Sequence, residues 1–168
     1  MNAKVQIEQL ESVGEYVGEL AELLTGVVAD GASVGFLPPL PLSEATDYWE
    51  TAIGPGVLLF VAKINDRIAG SVQLHLSMKS NGDHRAEIAK LMTNPEFRRN
   101  GIGRALMLRA EETAQQLGRS LLILDTREGD PSNLLYQSIG YVEAGRIPDF
   151  ARSANGDLHA TVFYYKNI

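Results

Sequence analysis

The chain contains no cysteine, and that absence removes several classes of chemistry. It excludes disulfide bonds, cysteine-based zinc sites and a thiol nucleophile, so an acyl-cysteine intermediate is impossible. Long hydrophobic runs are also absent, because no apolar stretch approaches the roughly 20 residues that span a bilayer. Residues 1–10 lack a basic segment followed by a hydrophobic stretch. We therefore expect a cytoplasmic protein that does not bind membranes.

Positive charge is in short supply. The 15 lysine and arginine residues are outnumbered by 21 aspartate and glutamate residues, which gives a net charge of -6. Binding of nucleic acid depends on a surplus of positive charge, so we expect no nucleic-acid partner and only local binding of any polyanion. The three histidines, at positions 75, 84 and 159, are well separated and lack the spacing of metal ligands, so we expect no metal site.

The length and the hydrophobic pattern predict an α/β protein. The chain has 168 residues, of which 45% are hydrophobic, and this is the size of one domain, placed at residues 1–168. The periodicity predicts strands at 4–8, 57–64, 67–78, 85–93, 121–124, 141–147 and 159–166, and helices at 10–28, 43–53, 102–117 and 131–139. This order favours a mixed, mainly antiparallel sheet of about seven strands with helices on both faces.

The segment between the strand at 85–93 and the helix at 102–117 is the strongest candidate for a binding site. Its two glycines let the backbone approach a ligand, and the amide groups at a helix start attract an anion. Three arginines lie in the same segment. The pattern predicts a phosphate site formed by Arg98, Arg99, Asn100, Gly101, Ile102, Gly103 and Arg104. The alternative interpretation is a tight turn that starts a helix, with its arginines in solvent.

Known phosphate-binding motifs narrow this choice. A dinucleotide fingerprint requires a third glycine where Leu106 stands, and the Gly-Lys-Ser/Thr of a P-loop is absent. The remaining pattern, Arg-x-x-Gly-x-Gly after a strand, resembles the acetyl-coenzyme A (acetyl-CoA) pyrophosphate loop of the GNAT superfamily of N-acetyltransferases. A second motif of that family is matched by Tyr136 in a short helix, followed by Gly140 and Tyr141. The chain departs from the family at Gly129, where many members carry asparagine.

The resemblance implies the GNAT fold and acetyl transfer from acetyl-CoA to an amine. An amine with a pKa of about 10.4 must first lose a proton, and the resemblance implies that the carboxylates Glu87 and Asp125 assist this loss. It implies that Tyr136 protonates the leaving thiolate. It also implies that the stretch from Leu91 through Met92 to Thr93 runs beside the pantetheine arm and that one of its backbone amides stabilises the oxyanion.

Each of these side chains also has a structural interpretation. Glu87 could be a solvated or ion-paired residue on a strand with alternating polar and apolar positions, and Asp125 could be a turn residue that follows an apolar strand. Tyr136 fits a core aromatic residue. A carboxylate with an ordinary pKa of about 4 is a poor base for an amine. Proton removal by Glu87 or Asp125 therefore requires a water relay or a pKa raised by burial.

The acceptor is the least constrained part of the reaction. We predict an amine of a small molecule, with toxins and antibiotics among the acceptors, and we expect Phe36 and Leu37 to contribute to its binding. The missing cysteine favours direct transfer in a ternary complex. Two alternatives stay open: acetylation of a protein N-terminus or lysine, and a module that binds coenzyme A without turnover. The resemblance also allows a homodimer.

Overall fold

A mixed sheet of seven strands organises the protein, whose computed structural model describes residues 4–168. The strands are β1 (Gln6–Leu10), β2 (Val57–Ile64), β3 (Arg67–Leu76), β4 (Arg85–Thr93), β5 (Leu121–Arg127), β6 (Val142–Arg152) and β7 (Leu158–Asn167). Their order in the sheet is β1-β2-β3-β4-β5-β7-β6. The helices are α1 (Val17–Ala29), α2 (Leu42–Glu50), α3 (Ile102–Gln116) and α4 (Ser132–Ser138).

The helices cover both faces of the sheet, as predicted, and each face has its own hydrophobic core. On one face α1 and α2 bury Leu24 and Trp49 against β2 and β3. On the other face α3 and α4 bury Leu106 and Tyr136 against the central strands. The fold is therefore the mixed, mainly antiparallel sheet with helices on both faces that the sequence predicts, and the two helical layers share this sheet as their scaffold.

The centre of the sheet opens between β4 and β5. These strands are parallel and pair only at their beginnings, with Arg85 opposite Leu121 and Glu87 opposite Ile123. Beyond this point β5 continues to pair with β7 as far as Arg127, whereas β4 runs on beside β3. The two strands therefore diverge and leave a cleft in the middle of the sheet.

Several predicted element boundaries differ from the structure by two residues or more, among them the end of β3 at Leu76 and the end of α2 at Glu50, and three of the errors have a clear local cause. The helix predicted to start at residue 10 starts at Val17, because Leu10 still pairs with β2 and Gly14 adopts a positive φ of 34°. The strand predicted to end at residue 124 includes Asp125 and ends at Arg127, because β7 pairs with its polar end. Strand β6 continues past Pro148, since an edge strand with a bulge tolerates the missing amide.

Within residues 4–168, no helix combines the length and the apolar composition needed to cross a membrane.

Candidate functional site

The beginning of α3 forms a cradle of backbone amides. Gly101 precedes the helix in the left-handed conformation, with a φ of 70°, and a side chain there would meet no atom within 4 Å. The amide of Ala105 donates to the Gly101 carbonyl at 3.0 Å. The amides of residues 102–104 therefore have no acceptor within the helix and are available to an anion.

Of the side chains predicted to surround this cradle, the arginines line the cleft, whereas Asn100 and Ile102 make contacts within the protein. Arg99 and Arg104 are exposed and line the cleft, while Arg98 lines it and is paired with Asp30. The side chain of Asn100 instead donates to the Phe97 carbonyl at 2.9 Å and closes the loop on itself. Ile102 is buried in the core, and Gly103 packs so closely on α4 that an added Cβ would lie 3.2 Å from Leu135.

Strand β4 carries a bulge at the cleft. The register with β3 shifts after Ser71, so that Lys90 and Leu91 occupy the place of one residue, and Lys90 adopts a positive φ of 55°. A bulge takes backbone groups out of the ladder and redirects side chains. Leu91, Met92 and Thr93 follow it and line the cleft, although the Met92 side chain is buried against the core on the α1 side.

Glu87 and Asp125 lie on the same face of the sheet. Glu87 is opposite Ile123, and Asp125 is two residues further along β5, which returns its side chain to that face. The Thr161 hydroxyl donates to the Asp125 carboxylate at 2.8 Å. Burial raises the pKa of Glu87, the charge of Asp125 raises it further, and Lys90 lowers it. The structure thus brings the two predicted carboxylates together in one electrostatic environment.

Tyr136 reaches the cleft from α4. Its ring is 6% exposed and packs on Tyr141 and Tyr164, with ring centroids 5.9 Å and 6.0 Å away. Burial, followed by the charge of Asp125, raises the pKa of Tyr136. The phenol is therefore protonated at neutral pH, and Tyr136 lines the cleft. A protonated phenol that lines a cleft is suited to donate a proton.

Phe36 and Leu37 lie beside this cleft and do not line it. They line a smaller cavity of about 230 Å³ between residues 32–38 and residues 151–154. Phe36 packs edge-on against Tyr48 with ring centroids 5.4 Å apart, and Leu37 is exposed. This cavity adjoins the main cleft, because Ser33 and Arg127 line both.

Four charged residues that line the cleft were not predicted from the sequence, namely Asp30, Lys90, Arg127 and Asp130, and two of them are basic. Lys90 was counted as a polar position on an alternating strand, and only the bulge turns it into the cleft. Arg127 lay beyond the predicted end of β5. Its guanidinium donates to Asp130 at 2.9 Å, to Ser153 at 3.0 Å and to the Gly31 carbonyl at 2.9 Å. It therefore ties the loop after α1 to the end of β5.

One cleft of about 1010 Å³ is lined by Glu87, Asp125, Tyr136, residues 90–93 and the start of α3, whereas the predicted site residues Asn100, Phe36 and Leu37 do not line it. The cleft offers backbone amides and arginines to an anion, together with two carboxylates and a phenol. The smaller cavity beside it is walled by the loop that contains Phe36. This arrangement can hold a phosphorylated ligand and move protons at a group placed between β4 and β5.

Comparison with known proteins gives a consistent result. The sequence model of the acetyltransferase (GNAT) family matches residues 28–141. An uncharacterised N-acetyltransferase in the hisH-hisA intergenic region of Azospirillum brasilense is 32% identical over 114 residues, covering 66% of this chain and 67% of that protein. A GNAT-family acetyltransferase from Streptococcus pneumoniae superposes with a TM-score of 0.81 at 22% identity, over 98% of this chain and 100% of that one. The structure of yncA from Salmonella typhimurium with its cofactor acetyl-CoA superposes with a TM-score of 0.79 at 14% identity, over 97% and 93% of the two chains.

Proposed function

Since the chain belongs to the acetyltransferase (GNAT) family, we propose that it transfers the acetyl group of acetyl-CoA directly to the amine of a small molecule. The observation that carries this proposal is the single cleft that joins the amide cradle of α3 to Glu87, Asp125 and Tyr136. An anion site and proton-transfer groups in one cleft are what acetyl transfer from a phosphorylated thioester requires. The proposal treats residues 1–168 as one N-acetyltransferase domain.

The residues at the start of α3 fit the diphosphate of acetyl-CoA. The free amides of residues 102–104 and the exposed side chains of Arg99 and Arg104 would hold it. Gly101 fits this role because glycine adopts the left-handed conformation without strain and has no side chain to block the approach of the diphosphate. Leu91 and Thr93 on β4 would flank the pantetheine arm.

Proton transfer falls to three residues of the chain. Acetyl-CoA supplies the thioester, whose carbonyl carbon is open to attack by an amine. Glu87 and Asp125 accept the proton that the acceptor ammonium must lose, and the raised pKa of Glu87 makes it a better base than an ordinary carboxylate. Tyr136 protonates the departing sulfur. A backbone amide released by the bulge in β4 stabilises the oxyanion.

The size of the acceptor end supports a small molecule as substrate. Residues 32–38 and 151–154 close around about 230 Å³, which suits a compact amine better than an extended peptide. Segments 31–36, 85–92 and 121–126 also resemble the tabtoxin-resistance protein. We therefore include toxins and antibiotics among the acceptors, with Phe36 and Leu37 contributing to their recognition.

A thiol-release screen tests this function. Purified protein is incubated with acetyl-CoA and with amino acids, polyamines, antibiotics and peptides as separate acceptors. The proposal expects release of free thiol with a small amine, and an acetylated product of matching mass. Intersecting initial-velocity lines would support direct transfer. Turnover with peptides alone would establish the protein-acetylation alternative, and tight binding of coenzyme A with no acceptor at all would establish the non-catalytic one.

A further inference from the structure

Lys90 places an unpaired positive charge in the acceptor part of the cleft, the region between residues 31–38 and the two carboxylates. Its side chain leaves the bulge of β4 and reaches the loop after α1, where a Cβ on Gly35 would lie 3.2 Å from the Lys90 Nζ. Among residues 4–168, Lys90 forms neither a hydrogen bond nor an ion pair. A partly buried cation without a partner is unfavourable unless a ligand supplies the anion.

The other basic side chains of the cleft have partners or lie elsewhere. Each of the three guanidinium nitrogens of Arg127 donates one hydrogen bond, to Asp130, to Ser153 and to the Gly31 carbonyl. Arg98 is paired with Asp30. Arg99 and Arg104 lie at the start of α3, at the end of the cleft assigned to the diphosphate. Arg152 lines the smaller cavity and donates to the Gly156 carbonyl at 2.6 Å. Among residues 4–168, Lys90 is therefore the basic side chain of the cleft that remains for the acceptor.

Lys90 faces the two carboxylates of the cleft. Burial lowers the pKa of Lys90, and the charges of Asp125 and Glu87 partly offset this decrease. The lysine and the two carboxylates are therefore close enough to interact electrostatically, yet they do not close into an ion pair. Negative charge at Glu87 and Asp125 and positive charge at Lys90 form a pattern complementary to a molecule that carries both an ammonium and an anion.

We propose that Lys90 binds an anionic group of the acceptor, so that the acceptor is a zwitterion of the amino-acid type whose amine lies at Glu87 and Asp125. This inference rests on the proposed function and narrows its substrate class. The anionic group is a carboxylate or a phosphonate, which share the chemistry that an ammonium recognises. A charge-assisted contact of this kind should contribute about tenfold to 100-fold in KM.

Wild-type selectivity gives the first test. Acetyl transfer is measured with the common L-amino acids, with their aminophosphonate analogues, and with the amides and decarboxylated amines that lack the anionic group. The inference expects kcat/KM to be at least about tenfold higher for an anionic acceptor than for its amide or amine. Transfer to amides or amines without this preference would overturn the inference and leave the proposed function standing. Absence of transfer to every acceptor would overturn both.

Substitution of Lys90 gives the second test. Lys90→Met removes the charge but keeps the length, and Lys90→Arg restores the charge. The inference expects Lys90→Met to raise the KM of the anionic acceptor about tenfold or more, to leave the KM of its amide and of acetyl-CoA unchanged, and to be partly rescued by Lys90→Arg. Lys79→Met, at an exposed position outside the cleft, is the matched control and should behave as wild type.

Two results of the substitution would contradict the inference. An equal decrease in kcat/KM for the anionic acceptor and for its amide would show that Lys90 affects only Glu87 and Asp125 and does not bind the acceptor. A raised KM for acetyl-CoA alone would place Lys90 in the cofactor site. Thermal unfolding of each variant checks that the fold is kept, and the wild-type selectivity above decides the question independently if Lys90→Met does not fold.

Discussion

In the proposed reaction, Asp125 acts through its effect on the pKa of Glu87 as well as through its own position. Its negative charge raises the pKa of Glu87, in the same direction as burial, and Lys90 opposes both effects. A base must be deprotonated to act, so a raised pKa moves the acid limb of the rate profile to higher pH. The proposed mechanism therefore predicts that the charges around Glu87 set the pH below which activity is lost.

The acid limb of kcat/KM should shift in a defined direction when Asp125 is changed. Asp125→Asn removes the charge that raises the pKa of Glu87, so the remaining activity should persist to lower pH than in the wild type. The profile of thiol release against pH measures this shift. A limb that stays in place would show that Glu87 is not the group that titrates.

Tyr136→Phe should lower kcat by about 100-fold or more, since a positioned proton donor contributes at least that much. The KM for acetyl-CoA should change little, because the ring and its packing on Tyr164 are kept. Tyr141→Phe is the matched control, because Tyr141 packs on Tyr136 but does not line the cleft. An equal decrease in kcat in the two variants, or a large loss of acetyl-CoA binding in Tyr136→Phe, would show that the role of Tyr136 is structural.

At the scale of elements, the site depends on how strands and helices end. The strands at 57–64 and 85–93 were predicted with the bounds that the structure has, because apolar residues and turn residues mark them clearly. The start of α3 was predicted because Pro95 and Gly101 interrupt the chain before it and apolar residues recur at helical spacing from Ile102. These local signals were enough to identify the fold and the amide cradle.

Contacts between distant parts of the chain could not be predicted in this way. The bulge at Lys90 depends on the register of β4 against β3, and the pairing of Arg98 with Asp30 joins residues 68 positions apart. The polar end of β5, with Asp125 and Arg127, is a strand only because β7 pairs with it. Sequence periodicity reports burial along one element and carries no information about such pairings.

The two ends of α3 offer a matched test of the amide cradle. Gly101 and Gly118 both have a positive φ, 70° and 77°, and neither has an atom within 4 Å of an added Cβ. Alanine at either position should cost about 1–2 kcal/mol of unfolding free energy. Only Gly101→Ala should also weaken coenzyme A binding, measured by calorimetry, because it disturbs the cradle. Equal affinities in the two variants would remove the start of α3 from the cofactor site.

At the scale of the whole molecule, one sheet carries both hydrophobic cores and the cleft between them. The α1 side and the α3 side share the strands β2, β3 and β4, so neither core can open without exposing the sheet. The edge strand farthest from β1 is β6, which exposes the apolar side chains of Val142, Ile147 and Phe150. A homodimer stays a prediction.

Both cores should unfold in one cooperative transition if residues 1–168 are a single domain. Leu24→Ala on the α1 side and Leu106→Ala on the α3 side each remove a fully buried side chain. Each should lower the unfolding free energy by about 2–5 kcal/mol, with one transition in denaturant by fluorescence and by circular dichroism. Two separate transitions, each sensitive to one of the substitutions, would divide the chain into two units.

A structure of the complex with acetyl-CoA tests the central claim most directly, because the claim is that one cleft holds the cofactor and carries out the transfer. The account predicts the diphosphate at the amides of residues 102–104 beside Arg99 and Arg104. It predicts the thioester between β4 and β5, with its sulfur within hydrogen-bond reach of the Tyr136 hydroxyl. A diphosphate bound away from α3, or a thioester that leaves Tyr136, Glu87 and Asp125 out of reach, would contradict it.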